Sequence, residues 1–180
     1  MSDFILHTQE TCPGGSKPLL EKSVSSFGVI PNLHAVMAES PELLESYQLL
    51  HTLFQQTSLN AEELTVVWQT INVAHQCHYC VPAHAMIADN MKVDGKITEA
   101  LINKTELPDP KLQVLHETTL SLLTNRGVLA DEELKKFYEA GYTNKQLLEI
   151  ILGMAQKVIS NYTNHLAATP VDQPFQQYAN

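Results

Sequence analysis

Apolar side chains recur along this chain at spacings of three and four, the signature of helices with one face turned inward. Ser40-Pro41 offers an N-cap followed by proline in the first turn, and Leu43, Leu44, Tyr47, Leu50, Leu53 and Phe54 then mark one stripe. Asn60 and Glu63 have capping-box spacing and open a second run through Leu64, Val67, Trp68, Ile71, Val73 and Ala74. Asp109-Pro110 starts a third through Leu112, Leu115, Leu120, Leu122 and Leu123, which stops near Asn125-Arg126-Gly127. Residues 130–140 read as a short helix ended by Gly141. Thr143 and Gln146 cap a long, broadly apolar helix, with Leu147, Ile150, Ile151, Met154, Val158, Ile159, Tyr162 and Leu166, that Pro170 ends. Asp94-Gly95 is followed by a helical pattern rather than a strand, residues 104–109 read as a loop, and sustained period-two alternation is missing. The pattern predicts an all-α, single-domain helical bundle.

At 180 residues the chain fits one domain. Pro13-Gly14-Gly15-Ser16 separates a flexible N-terminal arm, residues 1–16, from a helical domain over residues 17–180. An apolar fraction of 44% with 17% charged residues predicts a folded, soluble protein. A net charge of -9 repels phosphate backbones and anionic lipid, so nucleic acid and membrane surfaces are not expected partners. Met1 to His7 lacks the basic region of a signal peptide, and no apolar run reaches the roughly 20 residues that span a bilayer. A cytoplasmic location follows as an expectation, and there a Cys-x-x-Cys pair favours redox or metal chemistry over a structural disulfide. Cys12 is left over and reads as chemically idle.

Reactive side chains concentrate in one segment, Asn72-Val73-Ala74-His75-Gln76-Cys77-His78-Tyr79-Cys80-Val81-Pro82-Ala83-His84. On a helix, Cys77, Cys80 and His84 share a face, with the imidazole one turn from Cys80, so a proton can pass between them. Pro82 belongs in a first helical turn, which puts the cysteines at a helix N-terminus where the dipole favours a thiolate. Two other readings compete. His75 or His78 with Cys77, Cys80 and His84 would make a nominal S2N2 zinc set, although structural zinc sites usually draw ligand pairs from separate segments. Alternatively, the cysteines are merely buried packing residues.

The form Cys77-x-Tyr79-Cys80-x-x-x-His84, with Gly28-Val29-Ile30-Pro31-Asn32, Ser40-Pro41-Glu42-Leu43-Leu44 and Ala140-Gly141-Tyr142-Thr143, resembles the carboxymuconolactone decarboxylase superfamily, in its alkyl hydroperoxidase D-like branch, over residues 27–171. The resemblance implies an all-helical trimer or hexamer with a cofactor-free dithiol that reduces hydroperoxides, or disulfides. A dihydrolipoamide-type or thioredoxin-like thiol donor recycles it. It also implies that Cys80 attacks peroxide, Cys77 resolves the sulfenic acid as a disulfide and His84 relays protons. The chain departs from the family at Thr65, which stands where the relay glutamate usually is; Glu62 and Gln69, one turn to either side, are the candidate substitutes. Rival classes are a scaffold protein that has lost its relay, a zinc-bound module, and a lactone decarboxylase, whose branch typically lacks the cysteine pair.

The remaining candidates are read more plainly. His75 and His78 flank the pair and tune it or face solvent. Trp68 and Tyr79 read as packing residues, Glu149 as a solvated or paired surface position, and Asn161, Asn164 and His165 as end-of-helix or interface groups rather than catalytic ones.

Overall fold

A computed structural model describes residues 3–179; Met1 and Ser2 of the N-terminal arm and Asn180 lie outside the described residues. Among these, all regular structure is helical: α1 (Lys17–Phe27), α2 (Asn32–Met37), α3 (Pro41–Gln55), α4 (Ala61–Ala74), α5 (Cys80–Asn90), α6 (Gly95–Asn103), α7 (Pro110–Thr124), α8 (Asp131–Glu139) and α9 (Asn144–Ala167). Short 3-10 turns cover Gly14–Ser16 and Gln173–Tyr178.

The starts expected from sequence are built by side chains. Ser40 accepts from the Leu43 amide, and Asp109 from that of Lys111. Asn60 and Glu63 close a reciprocal capping box, and Thr143 and Gln146 another. α1 and α2, of 11 and 6 residues, lie outside the apolar runs named above. α1 ends where Gly28 takes a left-handed conformation (φ 77°) that costs glycine nothing.

α4 is the axis of the bundle, packed against α5, α6, α7 and α9. Its residues from Glu63 to Asn72 are all buried, so it is enclosed on every side rather than amphipathic. The main core surrounds it, with Phe54, Trp68, Leu115, Phe137 and Ile150 fully buried. Each such side chain contributes on the order of 1.5–3 kcal/mol. α9 reaches this core closely at Gly153, where an added Cβ would sit 2.7 Å from Phe54 Cε2.

A second cluster lies between α1, α2, α3 and the start of α5, holding Leu20, Leu33, Met37, Leu44 and Tyr47 together with Cys77, Tyr79 and Cys80. The seam between the two cores is where polar side chains enter the interior. The segment read as an arm runs along α2 and α3: His7 is 7% exposed and its Nε2 lies 2.6 Å from Glu39 Oε2, while the buried Ser16 donates to the Ala38 carbonyl.

Candidate active site

The cysteine segment is shaped by the end of α4. The amide of Gln76 bonds to the Val73 carbonyl and that of Cys77 to the Asn72 carbonyl, a Schellman closure with Gln76 in the left-handed region (φ 53°). α5 then starts at Cys80, with Pro82 in its first turn as the sequence predicts. Cys77 is therefore not on the same helix face as Cys80 and His84. It sits in the turn before α5, because the chain must reverse out of the fully buried α4. No side chain of Tyr79 caps α5; the Cys77 sulfur takes that place by accepting the Cys80 amide at 3.2 Å.

Both thiols are free and buried, Cys77 at 0% and Cys80 at 2% exposure. A cavity of about 560 Å³ opens on Cys80 and not on Cys77. Apolar and aromatic groups line most of it, including Phe27, Tyr47, Tyr79 and Phe175, with His34, His51 and His84 among them. Asp172 of the C-terminal segment closes one side, accepting from the Tyr79 hydroxyl and from the Asn32 amide. Such a volume suits a small organic molecule.

α9 supplies the polar groups around the sulfur. Asn164 Nδ2 donates to Cys80 Sγ at 3.2 Å. Lys157 is 0% exposed, and its Nζ lies 2.8 Å from His84 Nε2. Asn161 donates to Asn72 Oδ1, Asn72 donates to Gln69 Oε1 and to the Cys80 carbonyl, and Gln69 donates to the Val81 carbonyl. This ladder ties the start of α5 to α4 and α9. Burial pushes the Cys80 thiol up, but the Cys77 hydrogen bond, the Lys157 charge and Asn164 outweigh it and bring it below the ordinary thiol value. Cys77 is pushed the other way, by its hydrogen bond to Cys80, by burial and by the neighbouring negative charge. The surroundings of the pair thus favour a thiolate on Cys80 over one on Cys77.

His84 does not stand ready to take the Cys80 proton, as its helical spacing suggested. Its Nε2 faces Lys157, its Nδ1 has no partner among the described residues, and its ring packs 4.8 Å from Trp68. Burial and the Lys157 charge hold it neutral, well below the usual histidine range. His34 is lowered to about 3, chiefly by burial, and His51 to about 4 by burial and Lys157.

The other candidates scatter. Thr65 is buried and donates to the Ala61 carbonyl, and neither it, Glu62 nor Gln69 lines the cavity. His75 pairs with Asn161 Oδ1, and the exposed His78 with the Thr169 carbonyl. Among the described residues, no three His, Cys, Asp or Glu side chains form a group that could hold a metal ion, so the S2N2 set does not assemble. Trp68 is core, with its Nε1 donating to Gln156, whereas Tyr79 lines the cavity. Glu149 is buried, not solvated: it accepts from the Ser58 amide and hydroxyl and faces Lys145.

The sequence motifs do not single out Lys157, and they leave Asn161 and Asn164 as end-of-helix or interface groups. A signal did exist: Lys157, Ser160, Asn161 and Asn164 fall at i, i+3, i+4 and i+7, a polar stripe set into an apolar helix. All four are buried.

No protein-family model and no curated protein sequence matches the chain. Among solved structures it is similar to an uncharacterised peroxidase-related protein from Ralstonia eutropha JMP134, described as an alkylhydroperoxidase AhpD core (TM-score 0.84, 17% identity, covering 97% of this chain and 94% of that one). A peroxidase-related protein from Silicibacter sp. TM1040 gives 0.81 at 14% identity, over 96% and 92% of the two chains. A cysteine-to-alanine variant of the debrominase Bmp8, in complex with 2,3,4-tribromopyrrole, gives 0.79 at 15% identity, over 98% and 97%. The chain therefore has the all-helical AhpD-like fold, as the cysteine motif led us to expect. Within that fold it carries a Cys-x-x-Cys pair whose second cysteine faces a cavity.

Proposed function

We propose that the chain is a dithiol reductase of organic hydroperoxides. The observation that carries this reading is the asymmetry of the pair: Cys80 alone lines the cavity and is favoured as thiolate, while Cys77 sits behind it as a thiol within hydrogen-bonding reach. The Cys80 thiolate attacks the distal peroxide oxygen; an S–O bond forms, the O–O bond breaks and the alkoxide leaves with a proton as alcohol. The Cys77 thiol then attacks the sulfenic acid, expels water and closes the disulfide. A dithiol donor, dihydrolipoamide-type or thioredoxin-like, reopens it by exchange.

Likeness to Bmp8 and the aromatic lining of the cavity favour a second reading, reductive removal of halogen from a small ring by the same cysteine. Turnover of cumene hydroperoxide with dihydrolipoamide, set against bromide release from a bromopyrrole, separates the two. The first reading expects hydroperoxide loss that Cys80→Ser abolishes, with two thiols lost per single turnover. Bromide release without hydroperoxide turnover would replace it with the second.

We further propose that copies assemble through α9, as a trimer or hexamer. Leu148, Ile151, Tyr162 and Leu166 form an apolar stripe there, with Leu148 68% and Leu166 71% exposed. Sedimentation of the purified chain as a monomer at all concentrations would refute this. A cytoplasmic setting is part of the same proposal, since it keeps the dithiol reduced; no helix among the described residues is long and apolar enough to cross a membrane.

A further inference from the structure

Lys157 is fully buried, and among the described residues no carboxylate pairs with it. A buried ammonium without a counter-ion is expensive, so such a lysine is either neutral or balanced by something else. The groups facing it are Cys80 and His84 from α5, Cys77 from the preceding turn, and His51 with Tyr47 from α3. The histidines are neutral at pH 7 and the Tyr47 hydroxyl is held protonated by burial. Lys22 and Asp172 also line the cavity. Cys80 shares the cavity with the lysine and, with Cys77 held protonated, is the one of the groups facing it that is favoured as an anion; that charge disappears whenever Cys80 is oxidised.

We propose that Lys157 is the proton store of the catalytic cycle: an ammonium paired to the Cys80 thiolate in the reduced protein, and a neutral amine in the disulfide form. The assignment rests on the hydroperoxide reading given above. In the attack, the ammonium gives its proton to the leaving alkoxide, so that Cys80 thiolate, Lys157 ammonium and ROOH become Cys80 sulfenic acid, Lys157 amine and ROH. Cys77 attacks next; its own proton leaves with the sulfenic hydroxyl as water. A dithiol donor then returns two electrons and two protons, one to the Cys77 thiol and one to Lys157. His84 accepts an N–H from Lys157 at Nε2 and so holds the amine in place through the cycle. Burial lowers the lysine and the cysteine charges raise it, the two opposing influences this exchange requires.

The proton count tests this. In the cycle as written, a single turnover at pH 7 takes no proton from solvent, whereas a lysine that stayed charged would force uptake of one proton per disulfide. A pH indicator in weak buffer, during a stopped-flow turnover of cumene hydroperoxide, reads the difference. The thiolate itself is followed by iodoacetamide capture of Cys80 against pH in a Cys77→Ser background. Lys157→Met should raise that midpoint by about 1–3 pH units, the usual effect of removing an opposite charge at this range. Lys157→Arg should keep the midpoint low but, because a guanidinium does not release its proton, take up one proton per turnover and turn over at least tenfold more slowly. One proton taken up by the unmodified protein, or an unmoved midpoint in Lys157→Met, overturns the proposal. Absent hydroperoxide turnover with the midpoint still shifted would sink the cycle and the hydroperoxide reading together, leaving only the ion pair.

Discussion

Asn164 Nδ2 lies 3.2 Å from the sulfur of Cys80, 84 residues earlier in the chain, and is fully buried. A hydrogen bond to an ionised acceptor contributes about 1.5–3 kcal/mol, which here favours the thiolate over the thiol. Asn164→Ala should therefore raise the pH midpoint of iodoacetamide capture of Cys80 by about 1–2 units. If the midpoint is unchanged in a variant whose thermal unfolding is also unchanged, Asn164 has no part in activating the sulfur.

Thr65 gives an opposite expectation. Its hydroxyl is satisfied by the Ala61 carbonyl of its own helix and does not reach the cavity. Replacement by the isosteric valine should leave kcat within about twofold and shift stability by less than about 1 kcal/mol, the worth of one ordinary hydrogen bond. A large fall in kcat would restore a relay role to this position.

Gln76 holds a left-handed backbone conformation that lets Cys77 close back on Asn72. Glycine adopts this conformation freely and a β-branched residue does not. Gln76→Gly should unfold at equal or higher urea concentration, by up to about 1 kcal/mol, while Gln76→Val should lose about 1–3 kcal/mol. Equal midpoints for the two variants would show that the turn is not under this constraint.

Acid should unfold the protein through its buried histidines. His34 and His84 are neutral in the fold and depressed below the ordinary histidine value of 6.5, His34 to about 3. Below pH 6.5 the unfolded chain binds protons that the folded one refuses, so stability falls with pH, down to about 3 for His34 and further for His84. The slope is at most about 1.4 kcal/mol per pH unit for each histidine. Urea midpoints at pH 7, 6 and 5 should decline steadily, and His34→Gln should flatten the decline. A midpoint that held constant from pH 7 to 5 would contradict the neutral, buried state of both rings.

Helix existence and type were legible in the chain because capping residues and apolar spacing are local properties. Asn60 with Glu63, Asp109 with Pro110, and Thr143 with Gln146 each announce a start that needs nothing from elsewhere in the fold. The Cys77–Cys80 pair and its placement at the opening of α5 could be read for the same reason, from Pro82. Three assignments depended on tertiary contacts instead. Whether Cys77 lies on the helix or before it follows from the burial of α4, which forces a Schellman reversal at Gln76. The partner of His84 was open, because one-turn spacing shows only that Cys80 is near; the residue that reaches Nε2 comes from α9, 73 positions away. Which cysteine faces the cavity was likewise undecided, since that depends on α3, α5 and the C-terminal segment meeting around Cys80. A sequence specifies its helices through neighbours a turn apart, but the charge and hydrogen bonds that set a thiol's reactivity come from side chains that only packing brings together.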